Sequence, residues 1–66
     1  MRYFLEINMD NDAFADEPGL EVARILRELA DRVEGYSFNN PKTAFPVRDI
    51  NGNRVGSHGY DEGEVK

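Results

Sequence analysis

The chain has 66 residues, with 13 acidic and 8 basic side chains, a formal charge of −5, 39% hydrophobic residues and no cysteine. Such a length supports one domain, and the absence of thiols excludes a disulfide scaffold, a thiolate metal site and a cysteine nucleophile. A single histidine, His58, leaves no second ring for a histidine-built zinc site and little for a Ser-His-Asp triad, so composition argues against an enzyme.

Taken in chain order, residues 2–9 alternate. Tyr3, Leu5, Ile7 and Met9 point one way and Arg2, Phe4, Glu6 and Asn8 the other, the pattern of a half-buried strand. Phe4 is the exception on the polar face, and the C-terminal tail is expected to cover it. Residues 10–17 read as a loop opened by turn-favouring Asp and Asn, with Phe14 folding back onto the core. A helix follows. Asp16 is the expected N-cap, Glu17 suits the positive end of the helix dipole, and Pro18 is tolerated in a first turn that does not need its N–H. Leu20, Val22, Ala23, Ile25, Leu26, Leu29, Ala30 and Val33 recur at helical spacing, and Gly35 is expected to stop the helix in the left-handed conformation. On the opposite face Glu21–Arg24, Arg24–Glu28, Arg27–Asp31 and Glu28–Arg32 are spaced to pair, at about 0.2–0.5 kcal/mol each.

Tyr36-Ser37-Phe38 is an optional short strand, and residues 39–42 read as a turn. Residues 45–50 and 54–60 flank Asn51-Gly52-Asn53, a strong hairpin signal. Pro46 cannot donate to a central ladder, which assigns its arm to an edge or a bulge. The expected architecture is α+β: one amphipathic helix packed on a small, mostly antiparallel sheet of three to four strands, β-α-(β)-β-β, with the three main strands in the order 1-3-2. Residues 1–60 form the domain and 61–66 a polar, frayed tail.

The charge is uneven. Asp10, Asp12, Asp16 and Glu17 give residues 10–17 a net −4 with no base, while residues 35–60 carry a net +2. Exposed acids keep a small domain soluble. Clustered, they also form an anionic face suited to a basic groove, with apolar anchors supplying most of the affinity. Tyr36, Phe38 and Tyr60 are candidate anchors, although core packing is the commoner use of such residues.

Other constellations fall short. Asp10, Asp12 and Glu21 match positions 1, 3 and 12 of a calcium-binding loop, but Phe14 and Ala15 stand where an oxygen ligand and glycine are needed, and Pro18 lies inside the span. Gly52, Gly56 and Gly59 make no phosphate cradle. Ser57 and His58 are strand neighbours, so their side chains point to opposite faces, which is wrong for nucleophile and base; His58 reads as a surface residue. No metal, cofactor or catalytic residue is assigned.

The strand at residues 2–9, the helix Leu20-Glu21-Val22-Ala23-Arg24-Ile25-Leu26-Arg27-Glu28-Leu29-Ala30-Asp31-Arg32-Val33-Glu34 and the ending Val47-Arg48-Asp49-Ile50-Asn51-Gly52-Asn53-Arg54-Val55-Gly56 resemble small proteins encoded by phages and mobile elements of bacteria. In size and acidity the chain is similar to anti-CRISPR proteins, several of which are acidic binders that occupy the DNA-binding groove of an RNA-guided complex. That resemblance implies a non-enzymatic inhibitor, a DNA mimic that blocks DNA binding by a CRISPR effector, in the cytoplasm of a bacterial host. The binding residues would be Asp10, Asp12, Asp16 and Glu17, then Glu21, Glu28 and Asp31. The partner expected is a basic protein complex, with no direct contact to nucleic acid and none to membrane, since no run nears the ~20 apolar residues of a membrane span; a monomer is favoured over a dimer. The alternative is a structural or assembly accessory that homodimerises or pairs through a sheet edge.

Overall fold

In the computed structural model, which describes residues 1–39 and 42–61, the alternating run at the start forms β1 (Arg2–Ile7). A single 3-10 turn at Asp12–Phe14 leads to α1 (Pro18–Val33), and the hairpin comprises β2 (Thr43–Arg48) and β3 (Arg54–Asp61). The sheet is antiparallel throughout, in the order β1-β3-β2. This is the α+β architecture that the patterning predicts, with three strands, and α1 packs on one face of the sheet.

The pairing fixes the faces. Tyr3, Leu5 and Ile7 stand opposite Tyr60, His58 and Gly56, which stand opposite Thr43, Phe45 and Val47. These side chains share the face that α1 covers. Ile25 and Leu29 of α1 join Phe14, Val47 and Val55 in a buried core, flanked by Leu5, Ile7, Ala13 and Val22. Phe14 thus folds back as its apolar character requires. Phe4 is half-buried on the other face, opposite Gly59, and the residues 62–66 expected to cover it lie outside those described.

Local details depart from the sequence reading. The helix N-cap is Glu17, not Asp16, and no side chain caps it. Gly35 is not left-handed; the helix instead tightens, with Gly35 N donating to the Arg32 carbonyl and Tyr36 N to the Val33 carbonyl, both at 3.0 Å. Three of the four expected helix ion pairs form, but Arg27 and Asp31 do not close the fourth. Tyr36–Phe38 is no strand. Its rings lie on the sheet, Tyr36 4.7 Å from Phe45 and Phe38 4.5 Å from Tyr60 between centroids, and Phe38 takes a φ of 57°. These aromatics are packing residues rather than free anchors. Asp61, placed in the tail by sequence, is the last residue of β3 and pairs with Arg2 at 3.1 Å.

The hairpin loop has three residues, as expected, but they are Ile50-Asn51-Gly52, one position earlier than Asn51-Gly52-Asn53. Asp49 N donates to the Asn53 carbonyl, Gly52 N donates to the Asp49 carbonyl, and Gly52 alone takes a positive φ, 87°. That is a type I turn closed by a left-handed glycine. One strand register then slips between Val47 and Arg48, leaving Val55 as the extra residue of a bulge.

Candidate binding surface

The acid-only stretch is a tethered loop. Asn8 Oδ1 accepts from Asp10 N at 2.9 Å where the chain leaves β1. Asn11 then holds the 3-10 turn through its Oδ1, which accepts from Ala13 N at 3.0 Å, and donates its Nδ2 to Asp49 at 2.7 Å. Phe14, 3% exposed, anchors the middle of the loop in the core. Around these fixed points Asp10, Asp12, Asp16 and Glu17 are all exposed, and none forms an ion pair with any described residue.

The helix acids have different fates. Glu21 was expected on the anionic face, but it is buried. Arg24 Nε and Nη2 donate to its two oxygens at 3.0 and 2.9 Å, and Ile50 N donates to it at 2.9 Å. Those hydrogen bonds from Arg24, opposed by burial and aided by Ile50, hold its carboxyl below the usual range. A carboxylate locked between α1 and the hairpin turn is unavailable to a partner. Glu28 is exposed but bridges Arg24 and Arg32, each at 3.4 Å, so its charge is internally matched. Asp31 is exposed and lies on the helix away from the loop acids in sequence and element. The structure therefore keeps Asp10, Asp12, Asp16 and Glu17 together on one loop and separates them from Glu21, Glu28 and Asp31.

Asp49, which sequence reasoning passed over, and His58, which it misplaced, organise the rest. Asp49, 5% exposed, accepts from Asn51 N and Asn53 N at 2.9 Å each, and from Asn11 Nδ2. Burial alone would raise its pKa; these donors outweigh it and leave the carboxyl below its usual value. An Asp at the first position of a turn was the available signal. His58, read as a surface residue, is instead fully buried at the centre of the sheet. Its Nδ1 shares a 2.7 Å hydrogen bond with Tyr3 Oη, the rings of Tyr36 and Phe45 lie within about 6 Å, and its Nε2 has no partner among the described residues. Burial, with the charge of Arg32, lowers its pKa and keeps the ring neutral.

Two grooves flank α1. On the β2 side a cleft of about 450 Å³ is lined by Arg24, Arg32, Arg48, Tyr36 and Phe45, but Arg24 and Arg32 are paired with acids and Arg48 donates to the Gly52 carbonyl at 3.2 Å. On the β1 side an apolar groove of about 210 Å³ runs between Tyr3, Leu5, Leu26, Leu29, Ala30 and Val33. Among the described residues no three His, Asp or Glu side chains are grouped to hold a metal, and no helix is long and apolar enough to cross a membrane.

The fold and surface define a small α+β domain that offers an acidic loop on a compactly tied scaffold. Comparison with protein families, with curated proteins and with solved structures yields no match.

Proposed function

We propose that this chain is a non-catalytic inhibitor that binds a basic, nucleic-acid-handling bacterial complex, of the kind represented by a CRISPR effector, through the loop of residues 10–17. One observation carries the reading: four exposed carboxylates sit without ion-pair partners among the described residues, on a loop pinned at Asn11 and Phe14. A pinned loop loses little conformational entropy on docking. Its unmatched charges would occupy the Lys and Arg positions that otherwise hold phosphates, and steer the encounter. Asp10, Asp12, Asp16 and Glu17 carry this role; Glu28 and Asp31 are secondary, and Glu21 is a scaffold residue.

The test is capture from bacterial lysate followed by charge reversal. The expected result is recovery of a nucleic-acid-binding complex, with association of the Asp12→Lys, Asp16→Lys double variant slowed on the order of tenfold or more at low salt and its salt dependence flattened. Unchanged binding by that variant removes the loop from the interface, and a captured set with no nucleic-acid-handling complex refutes the reading.

A further inference from the structure

We propose that β1 is the seam of a symmetric dimer, in which two copies pair antiparallel through their β1 edges about a two-fold axis at Phe4. The inference is independent of the acidic loop and rests on the two rims of the sheet. Asn8 N donates to the Val55 carbonyl at 2.7 Å. Carried back along the register, the even residues of β1 aim their backbone groups at β3, and Tyr3, Leu5 and Ile7 aim theirs outward. Among the described residues β1 thus presents an open row of donors and acceptors with no proline, glycine or bulge. The opposite rim is closed to such pairing. On β2 the outward positions are Ala44, Pro46 and Arg48, so the residue lacking an N–H faces the open side, and the strand is offset at Val47/Arg48.

The side chains of β1 select a second copy as the occupant. Antiparallel self-pairing centred on Phe4 sets Arg2 of each copy opposite Glu6 of the other, and Phe4 opposite Phe4. Opposite charges facing across a ladder are favourable, and like charges are not. Moving the axis to Leu5 puts Phe4 opposite Glu6 and forfeits both ion pairs. Arg2 and Glu6 are exposed in the single chain, and the Arg2 guanidinium can serve Asp61 and a second carboxylate together. On the helix side the same axis runs beside the apolar groove. Tyr3 and Leu26, 44% and 46% exposed, flank it, and Ala23 and Ala30 are small enough to let a second α1 approach. One symmetry operation thereby satisfies the open rim, pairs the charges and covers the groove.

The full chain should sediment at twice its 7.5 kDa mass as concentration rises. The outward amides of Tyr3, Leu5 and Ile7 should gain hydrogen-exchange protection over the same range. Glu6→Arg and Arg2→Glu each create two facing like-charge pairs and should weaken self-association by about tenfold or more while leaving the circular dichroism unchanged. Mixed together, those two variants should form a heterodimer, because every facing pair is again opposite in sign. A chain that stays at single mass at every concentration overturns the proposal. So does a dimer indifferent to both variants, or a mixture that fails to associate while both variants remain folded.

Discussion

At the hairpin-turn end of the molecule, Phe14, Ile25, Leu29, Val47 and Val55 make a core of hydrocarbon, and the polar groups beside it are matched: Asp49 by donors on Asn11, Asn51 and Asn53, Glu21 by Arg24 and Ile50 N. At the other end Tyr36, Phe38, Phe45 and Tyr60 close over a histidine whose Nε2 finds no partner among the described residues. The first region is held by packing and a polar clamp. The second buries a group that water would solvate better, which makes it the place where conditions act on stability.

Truncation in the first region should show the largest effect. Ile25 is 1% exposed, and Ile25→Ala should destabilise the fold by about 3 kcal/mol in chemical denaturation, from lost burial plus the cavity left behind. Glu21→Ala should follow at about 1–2 kcal/mol; it strips Ile50 N of its acceptor, but Arg24 is one-third exposed and recovers water. A loss equal to that of Ile25→Ala would mean the clamp, not the hydrocarbon, dominates this end. In the second region Tyr3→Phe removes the hydrogen bond to His58 Nδ1 and should cost about 0.5–1 kcal/mol. A neutral Tyr3→Phe would show that the buried ring does not depend on that contact.

The smallest effect is the most selective. His58 has a lowered pKa when folded, so the unfolded chain binds the proton first. The stability contributed by the neutral ring is present above about pH 6.5 and declines as pH falls below it. Glu21 and Asp49 are also lowered, but their contributions persist to lower pH and vanish only as it falls through their folded values. Denaturation midpoints should therefore drop between about pH 6.5 and 5 in the wild type and stay level in His58→Phe. A slope that persists in that variant would assign the acid sensitivity to other groups.

The architecture was legible because its signals are periodic and local. Alternation in residues 2–9, the helical recurrence from Val22 to Val33 and the Asn51-Gly52 dipeptide each specify an element, and Pro46 specifies an edge. What failed depends on pairing. Val55 and His58 differ in parity, so a plain strand cannot turn both inward, and Val55 is the more apolar choice. The bulge at Val55 resets the alternation, and the positions on the helix side become Gly56, His58 and Tyr60. The acids that build the candidate surface were readable as a charge run, but that Glu21 is enclosed follows from where the turn at Ile50 docks, which no helix pattern contains. Asp49 was hidden for the same reason, since its donors come from its own turn and from Asn11, 38 residues away.

Gly56 and Gly59 show how little slack the central strand has. A Cβ at Gly56 would collide with the Glu6 carbonyl oxygen, and one at Gly59 with that of Thr43. In the proposed dimer the missing donor at Pro46, on the far rim, would govern stoichiometry instead. A particle that is adhesive along one rim saturates after a single encounter, whereas one adhesive on both would add units without end. In the dimer proposed above, a single imino acid that silences the β2 side would limit this sheet to finite particles and deny it a route to filaments.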